Sequence, residues 1–255
     1  MAEIKKSKAR IGPILTFLVF ILLLSAAVLF RMVPDVTVLK TQYPVVNYRG
    51  KAEPPRVTLS KGRPREWVPL AEISKIAVGA IVVSEDWAYF QHHGYDPNQM
   101  KEAIQEDLEE RSFARGASTI TQQVVRNVFL SKEKHITRKL LELYLAVRLD
   151  EHVSKRRVLE TYLNIAEWGE GIYGIAGAST FYFGKSPRDL NGKEGAFLAM
   201  LLPSPIRYGA SFREKHLTDY ARETIDSILA KLVQAHYLTE EERATEAART
   251  LGFER

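Results

Sequence analysis

Ile11 to Phe30 is a run of 20 residues without a charge, and it constrains this chain more than any other feature. As an α-helix it would be roughly 30 Å long, about the hydrocarbon thickness of a bilayer. Lys5, Lys6, Lys8 and Arg10 stand before it, so the positive-inside rule puts the N-terminus in the cytoplasm and everything after Arg31 outside. A cleaved signal peptide is the competing reading. Its apolar region normally spans about 7–15 residues and ends in a small-x-small site. Here the run is longer, and Ser25-Ala26-Ala27 lies inside it. The sequence thus divides into a cytoplasmic tail over 1–10, a single membrane anchor over 11–31, a stalk over 32–66 and one domain over 67–255.

The net charge of +5 does not mark a polyanion-binding surface. Residues 1–31 hold five of the basic side chains and one acid, which leaves the remainder of the chain at only +1. The excess is the flank of the anchor, and no nucleic-acid partner is expected. The absence of cysteine excludes a disulfide framework, a thiolate nucleophile and a Cys-ligated metal.

From Pro34 to Arg65 the chain is rich in Pro, Lys and Arg and shows no helical period, which reads as an extended stalk with a short strand at Val45–Tyr48. Helical patterns dominate from Pro69. Ile73, Ile76, Ala77, Ala80 and Ile81 keep the spacing of an amphipathic helix. Further helices are expected over 98–110, 118–129, 137–150, 155–166, 194–202 and 216–235, with loops around 91–97, 169–174 and 203–208. The fold class expected is mainly α.

Four clusters carry chemistry. Glu85-Asp86 closes an apolar helix, followed by Phe90, His92, His93, Gly94 and Asp96. A helix C-terminus disfavours anionic charge and apolar neighbours desolvate it. Both raise a carboxylate's pKa towards the range of a general base, although a surface helix end would look the same. In the second cluster, Arg115 to Asn127, Ser118 is a plausible N-cap. Gln122, Gln123, Arg126 and Asn127 offer donors to sugar hydroxyls or a phosphate, and equally make an ordinary polar face. Arg138, Lys139 and Glu142 share one helix face, a spacing also typical of surface ion pairs. The fourth cluster runs from Lys155 through Glu160-Thr161-Tyr162-Leu163-Asn164 to Tyr182-Phe183-Gly184.

Three formal matches are set aside. Gly169-x-Gly171-x-x-Gly174 fits a dinucleotide fingerprint, but a strand should precede it and Leu159–Trp168 reads as helix. Ser131-x-x-Lys134 has no later Lys-Thr-Gly. Adjacent His92 and His93 are poorly spaced for a metal, and no His-Glu-x-x-His occurs.

Taken together and in this order, the clusters resemble the lysozyme-like peptidoglycan glycosyltransferase family, and most closely its monofunctional, single-domain members. The residues that carry the likeness are Glu85-Asp86 with Phe90, His93, Gly94 and Asp96; Gly116-Ala117-Ser118-Thr119-Ile120-Thr121-Gln122-Gln123 with Asn127; and Arg138-Lys139-x-x-Glu142. Leu159-Glu160-x-Tyr162-Leu163-Asn164 with Tyr182-Phe183-Gly184 follows, and then Glu194-Gly195-Ala196-Phe197-Leu198-Ala199 with Leu202-Pro203-x-Pro205. They span roughly 85 to 208. Arg126 stands where the family commonly has Lys, and Lys134 where Arg is frequent; neither exchange removes a charge.

The resemblance implies a two-lobed helical domain and an inverting transfer. The growing glycan on undecaprenyl pyrophosphate would be the donor and lipid II the acceptor. Glu85 would be the base and Glu142 a second catalytic carboxylate, the pair roughly 6.5–9.5 Å apart by analogy with inverting glycosidases. Asp86, Phe90, Arg115, Ser118, Thr119, Gln122, Gln123 and Asn127 would contact substrate. Arg126, Lys134, Arg138, Lys139 and Lys155 would stabilise the leaving pyrophosphate. No cofactor is required by this reading, with Mg²⁺ or Mn²⁺ an assisting ion in some members, and no dedicated ligand set is visible. The inner (cytoplasmic) membrane would hold the protein, with cell-wall synthesis proteins as partners.

Two rival readings remain at this level. A lysozyme-like hydrolase suits paired carboxylates but has no use for the cationic cluster, and a catalytically silent scaffold would not need Glu85 and Glu142. Val124, Val125, Val128, Phe129 and Leu130 read as helix core, or in part as a lobe dipping into lipid headgroups.

Overall fold

The computed structural model describes residues 16–17, 19–20, 33–110, 118–130 and 136–254. Most of the expected anchor over 11–31 lies outside them. Thr16, Phe17, Val19 and Phe20 are helical and exposed. Among the described residues no helix is long and apolar enough to cross a membrane. Residues 1–35 and 36–255 form separate compact units.

The second unit is mainly helical. Its helices are α1 (Lys75–Glu85), α2 (Pro97–Glu110), α3 (Ile120–Phe129), α4 (Ile136–His152), α5 (Lys155–Ile165), α6 (Gly174–Phe183), α7 (Gly192–Leu201), α8 (Asp219–Gln234) and α9 (Glu240–Ala248). Short helices fill Pro205–Tyr208 and Ala210–Glu214. Two antiparallel hairpins complete the unit: β1 (Tyr43–Asn47) with β2 (Arg56–Ser60), and β3 (Glu167–Gly169) with β4 (Ile172–Tyr173).

Helix starts follow side-chain capping chemistry. Ser74, Ser154 and Thr218 each accept a backbone N–H in the first turn of α1, α5 and α8. Asn191 with Glu194, and Thr239 with Glu242, form reciprocal capping boxes on α7 and α9. One packing group joins α1, α7 and α8, with α9 against α7 and α8. α7 is buried along its whole length, which its even apolar composition permits. It crosses α1 closely because Gly195 has no side chain: a Cβ there would stand 2.6 Å from Ala77 Cα. A second group packs α3 on α4 and α5, with α6 and β1 also against α5.

Residues 36–66 are not a free stalk. Val36 and Leu39 are buried, and β1 pairs with β2 over five registered residues. Arg157 of α5 latches the segment down. Its Nε donates to Leu39 O at 3.0 Å and its Nη2 to Gln42 O at 2.9 Å, while its guanidinium lies over the Tyr43 and Trp67 rings. Glu160 accepts from Trp67 Nε1 and Leu70 N, and Asn164 exchanges hydrogen bonds with the backbone of Val68. The Pro and Lys/Arg content suggested an open linker, but a two-stranded hairpin gains stability by packing on a helix, here α5.

Three further expectations change. α6 replaces part of the expected 169–174 loop, and β3 and β4 form a tight hairpin there. α5 ends at Ile165, so Trp168 belongs to a strand and not to the helix. That strand pairs antiparallel across the Glu170-Gly171 turn, with Gly171 at φ +72°, so no dinucleotide-binding unit results. α9 lies in a stretch for which no helix was expected.

Candidate active site

Glu85 is the last residue of α1 and points at the second packing group. Gln123 of α3 donates from Nε2 to Glu85 Oε2 at 2.8 Å. The Tyr162 hydroxyl, on α5, lies 3.4 Å from the same oxygen and 3.3 Å from Gln123 Oε1. Burial raises the pKa of Glu85. The hydrogen bonds of Gln123 and Tyr162 and the charge of Arg126 pull it down, and the neighbouring Asp86 pushes it further up. The net direction is upward. Tyr162 itself is driven well above the ordinary tyrosine range by burial first and by the charge of Glu85 second, so it stays a neutral donor.

Glu142 is the other centre. It is fully buried on α4 and accepts from Arg138 Nη1 at 2.6 Å and from Lys139 Nζ at 2.7 Å. Arg126 Nη1 stands 4.0 Å from its Oε1. Lys139 also donates to Ser118 Oγ at 3.0 Å, which ties α4 to the approach of α3. The charge of this carboxylate fixes where the three cations stand.

α3 carries parts of both centres. Gln123 and Arg126, three residues apart, face Glu85 and Glu142 respectively, so one helix face reaches both carboxylates. Its N-terminus is clamped from the first motif. Asp86 is buried, accepts from His92 Nε2 at 2.9 and 3.0 Å, and takes the backbone N–H of Ile120 at 2.9 Å.

The sequence-level candidates fall into three sets. Glu85, Gln123, Arg126, Arg138, Lys139, Glu142 and Ser118 come together. Thr119, Gln122 and Asp86 do not present free donors or acceptors. Thr119, not Ser118, is the N-cap of α3. Its hydroxyl donates to Gly94 O at 2.7 Å, and Gln122 closes the capping box through Thr119 N at 2.9 Å. All three are buried. Phe90 is 57% exposed and Asn127 is exposed. Lys155 belongs elsewhere, paired with Asp150 at 2.7 Å and set over the Tyr89 ring. Arg115 and Lys134 lie outside the described residues.

The first motif shifts by one residue. The aromatic and imidazole that the fold buries are Tyr89 and His92, whereas Phe90 and His93 face outward. Tyr89 donates to Lys155 O at 2.6 Å, fixing the motif to the start of α5. Gly94, at φ +86°, lets the turn pass α4 where a Cβ would meet Ala146 O at 2.5 Å. Tyr162 was missing from the expected site residues, although it stands inside the fourth motif. Helical spacing alone cannot say that this face of α5 meets α1.

A raised carboxylate beside a fixed cation cluster defines a site able to take a proton next to a place that stabilises an anion. A family model described as transglycosylase matches residues 54–233, and the chain belongs to that family. A biosynthetic peptidoglycan transglycosylase of Nitrosomonas eutropha is 40% identical over 156 residues, covering 61% of this chain and 64% of that protein. The protein of the same name from Rhizobium meliloti is 43% identical over 150 residues, 59% of this chain and 63% of the relative. Penicillin-binding protein 1F of Bacillus subtilis is 36% identical over 189 residues, 74% of this chain but 26% of its own. The matches thus span a little under two thirds of the first two relatives and about a quarter of the third.

Proposed function

We propose that the chain is a peptidoglycan glycosyltransferase that polymerises lipid II into β-1,4 glycan strands with inversion and release of undecaprenyl pyrophosphate. The observation that carries this reading is the single face of α3 on which Gln123 holds Glu85 and Arg126 reaches Glu142. Relatives described as peptidoglycan transglycosylases support this substrate class, and the lysozyme-like, two-lobed arrangement is part of the same proposal.

The acceptor's 4-hydroxyl oxygen attacks the donor's anomeric carbon as its proton passes to the Glu85 carboxylate. The bond from that carbon to the pyrophosphate oxygen breaks, and the pyrophosphate leaves as an anion. Burial raises the proton affinity of Glu85, while the Gln123 hydrogen bond favours its ionised form. Arg126, Arg138 and Lys139 meet the departing charge, held in place by Glu142. Among the described residues no three His, Asp or Glu side chains gather as a ligand set.

Residues 11–31 as a membrane anchor would hold the domain at the outer face of the cytoplasmic membrane, where a polyprenyl-linked substrate lies. The test is polymerisation of fluorescent lipid II by wild type and Glu85→Gln, with glycan chains resolved on a gel. Long chains from wild type and none from Glu85→Gln are expected. Cleavage of preformed glycan without polymer would put the hydrolase reading in its place.

A further inference from the structure

We infer that the N-terminal β1–β2 hairpin is one wall of the substrate site, and that Arg56 on it positions the pyrophosphate head of a prenyl-linked substrate. The inference rests on the glycosyltransferase reading above.

A cavity of about 680 Å³ lies between this hairpin and the C-terminal half of α3. Its size is that of a site for a small ligand. Val46 and Val57 of the hairpin and Phe129 of α3 give it an apolar body, while Arg56, Arg126 and Arg138 line it with positive charge. Arg126 and Arg138 are the guanidinium groups that face Glu142, so the cavity is continuous with the cation cluster. Arg56 brings a third from the opposite wall. It enters no ion pair among the described residues, and the Nε of Arg138 has no hydrogen-bond partner there either. Glu167, the one acid lining the cavity among the described residues, is hydrogen-bonded to the Tyr173 hydroxyl.

An apolar body with arginines from two walls fits a ligand with an anionic head and a hydrocarbon tail. A bare disaccharide would leave the Arg56 guanidinium without counter-charge and the valines against hydroxyls. The hairpin is also fixed firmly enough to act as a wall. Arg157 latches it to α5, and Asn47 Nδ2 donates across it to Thr58 Oγ1 at 3.0 Å. β1 precedes residue 54, where the family match begins, so part of this wall lies outside the matched segment.

The test uses the full chain in detergent and farnesyl pyrophosphate as the probe, with inorganic pyrophosphate and farnesol as controls. Wild type should bind farnesyl pyrophosphate more tightly than either control. Arg56→Ala should weaken that binding about fivefold, the size of one partly exposed charge contact, and Arg56→Lys should restore part of it. Val57→Ser should weaken farnesyl pyrophosphate but not inorganic pyrophosphate. In lipid II polymerisation, Arg56→Ala should raise KM with kcat largely kept and an unchanged melting temperature. Equal binding of the probe by wild type and Arg56→Ala would overturn the inference and leave the glycosyltransferase reading intact. Absence of polymer from wild type would sink that reading, while the binding arm would still decide the hairpin. Capture of anionic phospholipid vesicles in an Arg56-dependent way, with no preference for farnesyl pyrophosphate, would assign the cavity to a membrane headgroup and refute a substrate site.

Discussion

Glu142→Gln tests whether this carboxylate organises the cations. The substitution keeps the shape of a side chain with no exposed surface and removes its charge, leaving Arg138 and Lys139 without their partner. Breaking a fully buried ion pair costs about 3–5 kcal/mol, and an exposed one contributes about 0–1. The Arg138 side chain is 18% exposed and that of Lys139 is 45%, so the site lies between these limits. We expect a loss of about 2 kcal/mol, which for a domain of this size lowers Tm by about 4–8 °C. The assay is thermal unfolding followed by tryptophan fluorescence, with lipid II polymerisation measured on the same samples. Polymer should be lost, because the arginine and lysine no longer converge. Adding Lys139→Met to Glu142→Gln should recover about half of the lost stability, since it removes a cation that has lost its carboxylate. A Glu142→Gln protein that melts with wild type and still makes polymer would refute the organising role. A double variant less stable than the sum of the two single losses would refute the electrostatic account of it.

Glu85→Gln should behave in the opposite way, losing polymerisation while melting above wild type at neutral pH. The folded-state pKa of Glu85 is raised, so its contribution to stability is fully present below the unfolded pKa and declines as pH rises through the folded one. A neutral glutamine escapes that loss, and a lower Tm at pH 7 would count against the burial argument. Activity of wild type should fall on the acid side as Glu85 protonates, and Gln123→Met should move that acid limb to higher pH by removing a hydrogen bond to the ionised form. An unmoved limb would point to another base. Gly195→Val would drive side-chain atoms into Ala77 and should cost about 3 kcal/mol, read as a lower midpoint in denaturant unfolding. Thr119→Val removes the cap of α3 and should cost about 1–2 kcal/mol, with a drop in kcat per folded molecule; stability lost with kcat unchanged would deny that the cap sets the site's register.

The parts of this molecule with a strong local signal were legible. The helices α1, α3, α4, α5 and α8 follow apolar spacing, and the α5 start at Lys155 follows Ser154. α9 had a signal that could have found it, since Thr239-Glu240-Glu241-Glu242 reads as a capping box even though the helix behind it has few apolar residues. α6 had none, because Gly174-Ile175-Ala176-Gly177-Ala178 carries neither a helical nor a strand period. The hairpin was half legible. A strand at Val45–Tyr48 could be read, but its docking depends on Arg157, more than a hundred residues away, and no local pattern announces such a contact. At the first motif, adjacent Tyr89-Phe90 and His92-His93 offered two aromatics and two imidazoles in either frame. Only the burial of one member of each pair tells them apart.

The residues whose role changed most share one physical reason. Thr119, Gln122 and Asp86 were expected to meet substrate, and their polar atoms instead set the start and rotation of α3. The next polar residues along that helix, Gln123 and Arg126, face the two carboxylates. A helix that began one residue later would turn its face by about 100° and present neither. The first motif reaches across through Asp86 and His92 to hold this start, so Glu85 at the end of α1 and its hydrogen-bond donor on α3 are fixed by adjacent residues of one segment. Sequence motifs around such a site therefore mix groups that do chemistry with groups that aim them. Burial distinguishes the two kinds: a polar side chain whose hydrogen bonds all end inside the protein aims, and one left at the edge of a cavity acts. By that criterion Arg126 and Arg138, which line the cavity, would stand on the acting side, and Glu142 would join Asp86 among those that aim.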